Sequence, residues 1–246
     1  MARRRFFVPE IRRGTAELTG TDAEHLVRVL RAEAGQVYEI SDNCDAYLAR
    51  IETARKALIS FRVLEKLPTP EPGLQVTLAA ALIKFDRFEW LVEKATELGV
   101  AVIQPFEAVR SERGLAKAAP KRMPRWEKIA QEASQQARRV QLPRIEPPIP
   151  FAKVLETDAG WKLLLDEGDA PPILRVPPRD QSPAARVAVL LGPEGGWTDG
   201  ERERALAAGW TACSLGSTIL RAETAAVAAL AVIQAAAQEL GGFAGR

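Results

Sequence analysis

Between residues 74 and 83 the chain is almost continuously apolar, and Trp161–Leu165 and residues 187–191 repeat the pattern. Such runs predict strands buried on both faces, as in a parallel sheet covered by helices. Residues 100–106 and 211–215 read as two further strands. Between them the period lengthens to that of helices. Asp86-Arg87-Phe88-Glu89 has capping-box spacing and predicts a helix to Leu98, stopped by Gly99. Pro124 fits the first turn of a helix over 125–139. Thr198-Asp199-Gly200-Glu201 is another capping box, with its helix ending at Gly209. The last helix, 223–240, is almost all apolar or alanine, which predicts burial on most sides, part of it against a second subunit. This alternation predicts an α/β domain with a largely parallel sheet.

Upstream the rhythm is different. Residues 4–8, 15–18, 36–41, 46–53 and 57–67 alternate or cluster apolar positions between turn signals, as strands of a small β-barrel do. One helix interrupts them, opened by Thr21-Asp22-Ala23-Glu24 and carrying Leu26, Val29 and Leu30 on one face. Pro68, Pro70, Pro72 and Gly73 form a stiff linker. The predicted organisation is a barrel over 1–70 and an α/β domain over 74–246.

Composition narrows the function. The chain has 246 residues, 47% apolar and 27% charged, enough for a sizeable core in a soluble protein. No apolar run is long enough to span a bilayer, and the N-terminus lacks a signal-peptide core, so a cytoplasmic protein with no membrane partner is expected. Cys44 and Cys213 stand far apart, which argues against structural zinc, and His25 as the lone histidine leaves little material for a His-rich metal site or a hydrolytic triad. The net charge of +2 is unevenly spread: residues 110–144 hold ten Lys/Arg against three Asp/Glu, and residues 145–246 hold nine against thirteen. That segregation suggests a face for a polyanion, although a solvated helix surface accounts for the charge alone equally well.

Two glycine-bearing loops follow apolar strands and precede helices: Leu190-Leu191-Gly192-Pro193-Glu194-Gly195-Gly196-Trp197-Thr198 and Leu215-Gly216-Ser217-Thr218-Ile219-Leu220-Arg221-Ala222-Glu223-Thr224. Neither is a Walker A loop or a GxGxxG fingerprint. The first could equally be a tight turn or a ligand loop. The second tips the balance, because apolar residues, a cation and free N–H groups at a helix start suit an adenine or a carboxylate. Trp197 and Trp210 read as packing residues, and His25 as a helix-surface or RNA-contact residue.

Together these loops resemble the signature of RsmE-type 16S rRNA (uracil-N3)-methyltransferases, in the SPOUT class. Lys84-Phe85-Asp86-Arg87-Phe88-Glu89, Glu93-Lys94-Ala95-Thr96-Glu97-Leu98-Gly99, Val109-Arg110-Ser111-Glu112-Arg113 and Glu132-Ala133-Ser134-Gln135-Gln136-Ala137-Arg138 are similar to further family blocks, in family order. Arg5-Phe6-Phe7 and His25-Leu26-Val27-Arg28-Val29-Leu30-Arg31 resemble its opening. Ser217-Thr218 stands where the family commonly has Pro-Arg, and Phe85 where it favours glycine.

The resemblance implies an N-terminal PUA-like β-barrel, a SPOUT-like α/β domain with a deep trefoil knot, and a homodimer. It implies S-adenosylmethionine (SAM) in a bent form, held by Leu191, Gly192, Glu194, Gly195, Gly196, Leu215, Gly216, Ile219, Leu220, Arg221 and Thr224, with Leu165 and Glu167 from the preceding strand. The implied reaction methylates N3 of a uridine in 16S rRNA, either free or in the small ribosomal subunit. Arg221 is the first catalytic candidate, with Glu223 and Glu194 as alternative bases or SAM-amine contacts; Arg221 could equally pair with Glu194, and Glu223 could simply favour its helix N-terminus. RNA is expected on Arg3, Arg4, Arg5, Arg28, Arg31, Arg110, Arg113, Arg138 and Arg139. Two alternatives stand beside this reading. One is another SPOUT enzyme, acting on 2′-O-ribose or on tRNA guanine N1, against which the Glu-Ala-x-x-Gln block and the N-terminal barrel argue. The other is a non-catalytic RNA-binding protein.

Overall fold

The computed structural model describes residues 5–68, 73–176 and 186–240. They form two compact units, the first taking in Gln131–Leu142 besides the chain up to Glu71. The linker residues 69–72 lie outside the described residues.

The first unit is built on β1 (Arg5–Phe7), β2 (Ile11–Arg12), β3 (Thr15–Thr19), α1 (Gly20–Arg28), β4 (Val37–Ser41), β5 (Ala46–Arg55) and β6 (Leu58–Lys66). The strands make one mixed sheet in the order β1-β4-β5-β6-β3-β2, in which only β1 and β4 run parallel. Phe6, Ile40, Ile51, Ile59 and Phe61 form its core with Leu26 of α1. Gln131–Leu142 is tied to this sheet by polar bonds. Arg5 Nη1 donates to the Arg138 carbonyl at 2.6 Å, Ser41 Oγ to the Val140 carbonyl at 2.6 Å, and the Leu142 amide to Asn43 Oδ1 at 2.7 Å.

The second unit contains β7 (Gln75–Ala81), α2 (Phe85–Glu97), β8 (Val102–Glu107), α3 (Leu115–Ala118), the start of α4 (Met123–Gln136), β9 (Arg144–Ile145), β10 (Ile149–Pro150), α5 (Phe151–Val154), β11 (Trp161–Leu165), β12 (Arg186–Leu191), α6 (Asp199–Ala207), β13 (Thr211–Cys213) and α7 (Ala222–Leu240). Its sheet is entirely parallel, in the order β10-β8-β7-β12-β11-β13, with β9 also on β8. The apolar runs are explained by two covered faces. Val76, Leu78, Val187, Val189 and Leu163 join Phe88 and Leu91 of α2 and Leu230 and Ile233 of α7 on one side. Ala79, Ala81, Ala188, Leu190 and Leu164 join Phe106, Phe151, Trp197 and Trp210 on the other.

Two helix starts differ from expectation. The helix α1 begins after Thr19 and α2 after Lys84, neither with a side-chain cap. Glu89, expected to close the box of α2, pairs instead with Arg125 at 2.6 Å, and Asp22 in the first turn of α1 accepts from Gln131 Nε2 at 2.7 Å. The capping box at Thr198 and Glu201 is present. Helix α7 is not buried all round: Ala226, Ala229, Leu230 and Ile233 are buried, whereas Thr224, Ala231 and Ala235 are exposed. No described helix is long and apolar enough to cross a membrane.

Candidate functional site

Register sets the site. Leu165 of β11 lies opposite Cys213 of β13, and Leu164 opposite Leu190 of β12, so three strands finish at one sheet edge. Ligands of open parallel sheets bind outside such carboxyl ends. A cavity of about 260 Å³ lies there. Its wall comes from three loops: Leu165, Asp166 and Glu167 after β11; Leu191, Gly192, Pro193, Glu194, Gly196 and Trp197 after β12; and Leu215, Gly216, Thr218, Ile219, Leu220 and Arg221 after β13. Cys213, Ala222 and Ala225 complete it.

Of the residues expected to hold a cofactor, Gly195 and Thr224 fall outside this lining. A Cβ on Gly195 would meet the Arg110 Cβ at 3.1 Å, so this residue is packed against an arginine, and Thr224 is exposed on α7. Asp166, Pro193, Trp197, Cys213, Thr218, Ala222 and Ala225 line the cavity although none of them is among the residues expected to hold a cofactor. Pro193, Trp197 and Thr218 lie inside the two loop motifs, where a signal existed; Asp166 and Cys213 gave none.

The loop after β12 is held from several directions. Trp197 is buried under Gly192, and its indole N–H donates to the Leu165 carbonyl at 2.9 Å. The Gly196 amide donates to the Pro193 carbonyl at 2.9 Å, closing a turn for which Gly196 takes φ +69°. A side chain at Gly196 would be strained by that φ and would sit 2.9 Å from Glu167 Oε1. Glu194 pairs with Arg87 of α2, not with Arg221. Arg110 Nη1 donates to the carbonyls of Gly195 at 2.9 Å and Trp197 at 3.2 Å. Asp166 anchors the neighbouring loop through Arg202, at 2.8 Å, and that contact raises the Arg202 guanidinium above its ordinary pKa. Burial pushes the Cys213 thiol up to about 12, so it stays protonated at neutral pH and is no nucleophile.

Arg221 and Glu223 flank the rim where the third loop enters α7. The Arg221 side chain is exposed, and among the described residues it has neither ion pair nor hydrogen-bond partner. Glu223 Oε2 is buried without a hydrogen-bond partner. Among the described residues no group of three or more His, Cys, Asp or Glu could hold a metal ion.

The arginines expected on RNA separate into groups. Arg3 and Arg4 lie outside the described residues. Arg28, Arg31 and Arg113 are exposed. Arg5 is a correction: it is 8% exposed, with Nη2 donating to Glu39 Oε2 at 2.9 Å. Burial of Glu39 in β4 demands a cation beside it, and Arg5 is that cation. Arg138 also bonds Glu39. Arg139 donates to the Gln141 carbonyl at 3.1 Å, and burial lowers its guanidinium to about 10, still charged at neutral pH. Arg110 serves the glycine loop.

A parallel α/β unit whose cavity is walled by glycine loops fits a class of RNA-modifying enzyme. Residues 69–234 match the family model described as an RNA methyltransferase domain. The ribosomal RNA small subunit methyltransferase E of Synechocystis sp. is 36% identical over 240 residues, covering 96% of this chain and 78% of that protein. The crystal structure of a ribosomal RNA small subunit methyltransferase E from Neisseria gonorrhoeae, bound to S-adenosyl methionine, matches with TM-score 0.85 at 31% identity, covering 96% of this chain and 98% of that one. A Legionella pneumophila methyltransferase in complex with bound SAM matches with TM-score 0.87 at 30% identity over the same shares. The chain belongs to the ribosomal RNA small subunit methyltransferase E family.

Proposed function

We propose that this SAM-dependent methyltransferase modifies N3 of a specific uridine in 16S rRNA and that the cavity at the ends of β11, β12 and β13 holds the cofactor. The observation carrying this is a ligand-sized cavity at a parallel-sheet edge whose glycine loop is braced on several sides. The lining suits SAM. Leu165, Leu191, Leu215, Ile219 and Leu220 offer apolar surface for an adenine, Gly192 and Gly216 allow close backbone approach, and Glu167 brings a carboxylate for an amine. SAM supplies an activated methyl group on a sulfonium.

The chain's own residues must deal with the proton on uridine N3. Arg221 is free to stabilise the charge left on the base, a contribution of about 2–4 kcal/mol by analogy with an oxyanion donor. Glu223, with its buried Oε2 unpartnered, is the better proton acceptor. Glu194 is committed to Arg87 and serves the loop.

Several features support the finer reading of the fold. β12 lies between β7 and β11, while α7, entered from β13, packs on α2, β12 and the turn Ile173–Arg175, an order that favours a knotted chain. The mixed six-stranded sheet packed on α1 suits a PUA-like RNA-binding domain. The exposed side of α7 and Leu174, 73% exposed, suit a homodimer contact. Exposed Arg28, Arg31 and Arg113, with Lys117 and Lys121, suit phosphates, which position a substrate without identifying it.

Nucleoside mass spectrometry of 16S rRNA from cells with and without the gene tests the target. Loss of 3-methyluridine is expected; its persistence at the wild-type level would overturn the proposal.

A further inference from the structure

Arg110 was expected on RNA, and its bonds lie elsewhere. It follows β8, 85 residues before Gly195 in sequence, yet its Nη1 bridges the carbonyls of Gly195 and Trp197. The two peptide groups it holds are also held at their other ends. The Gly195–Gly196 peptide donates its N–H to the Pro193 carbonyl at 2.9 Å. The Trp197–Thr198 peptide donates its N–H to Glu201 Oε2 at 3.0 Å. The same Glu201, 2% exposed, accepts the Val109 amide on Oε1 at 2.9 Å. Two neighbouring residues therefore hold the loop, Arg110 directly through its side chain and Val109 through the Glu201 carboxylate that also accepts the Thr198 amide. Gly195 completes the fit, because a Cβ there would press on the Arg110 Cβ at 3.1 Å.

With both ends of both peptides satisfied, this stretch of the cavity wall cannot rotate without breaking a bond to Arg110 or Glu201. A wall fixed before the ligand arrives lowers the ordering cost of binding. We infer that Arg110 is a positioning residue for the cofactor, acting through the glycine loop and not through RNA phosphate. This rests on the reading of the cavity as the SAM site.

Calorimetric SAM titration of the full chain, paired with RNA binding across a salt series, tests the inference on Arg110→Ala, Arg110→Lys and Gly195→Ala. In Arg110→Ala the SAM Kd is expected to rise about tenfold or more, with RNA affinity kept within about twofold. The KM for SAM should rise with it while kcat at saturating SAM holds. Lysine is a single point donor, so Arg110→Lys should fall between. Gly195→Ala pushes the loop off an intact arginine and should weaken SAM as well, which keeps the test available if Arg110→Ala does not fold. Unchanged SAM affinity in a folded Arg110→Ala overturns the inference. If RNA affinity also drops and its salt slope shallows by about one counterion, Arg110 is a phosphate contact after all. Failure of the wild-type chain to bind SAM would instead remove the reading of the cavity.

Discussion

Gly192→Ala is the sharpest test of how the glycine loop is built. A Cβ at Gly192 would lie 2.9 Å from Cε2, 3.1 Å from Nε1 and 3.2 Å from Cδ2 of Trp197. The ring has nowhere to go. It is 3% exposed, stacks on Phe106 with centroids 6.2 Å apart, packs on Phe151 at 5.8 Å, and donates its N–H to Leu165. Forcing an extra carbon into such a contact costs about 1–3 kcal/mol. Losing the Trp197–Leu165 bond while the donor stays buried adds about 1–3 kcal/mol. The sum, about 2–6 kcal/mol, corresponds to a fall in Tm of at least about 4 °C for a chain of this size. Gly200→Ala is the control: it lies in α6, and nothing stands within 4 Å of an added Cβ. It should leave stability unchanged or raise it by up to about 1 kcal/mol. Thermal unfolding by circular dichroism compares the two, with a SAM titration at a temperature where both are folded. A Gly192→Ala protein that melts within about a degree of wild type and binds SAM normally refutes the steric reasoning.

Further predictions follow the same logic. Arg221→Ala should lower kcat by about 10²–10³ with little change in the melting temperature, since the side chain is exposed and unpaired among the described residues; single-turnover methyl transfer to small subunits measures it. Glu39→Ala should destabilise the first unit by about 3–5 kcal/mol by leaving buried Arg5 without its carboxylate, read as faster hydrogen exchange at β4 amides. Adding Arg5→Met should recover much of that loss. Cys213 should resist a thiol reagent at pH 8 in the folded protein while exposed Cys44 reacts. Because the Cys213 thiol rises from 9.0 to about 12 on folding, its contribution is intact below pH 9 and is lost as pH climbs toward 12. Cys213→Ala should therefore flatten the alkaline fall in stability.

The loop Gly192-Pro193-Glu194-Gly195-Gly196-Trp197-Thr198 shows what a sequence can disclose and where it stops. Residue types announced a special backbone, and the reasons are now separable. Gly192 yields to Trp197, Gly195 to Arg110, Gly196 supplies φ +69°, and Thr198 caps α6. Local signals of this kind travel well: the buried runs of β7, β11 and β12 and the helix stops at Gly99 and Gly209, both at φ +84°, depend on near neighbours or on two covered faces. Partners far along the chain leave no such trace. Arg87 for Glu194, Arg110 for the loop carbonyls and Glu39 for Arg5 are charge matches that composition cannot assign, because any of many arginines would satisfy the same carboxylate. The false capping box at Asp86–Glu89 has the same origin, since Glu89 found its partner outside its own helix. Two-residue strands such as β9 and β10 carry no period to read, and Gln131–Leu142 joins the first unit through bonds to Ser41, Asn43 and Arg5 that only the fold brings into range. Within the basic stretch 110–144, Arg138 and Arg139 likewise have partners inside the fold, and Arg110, bonded to the Gly195 and Trp197 carbonyls, ties the glycine loop to a segment 85 residues upstream.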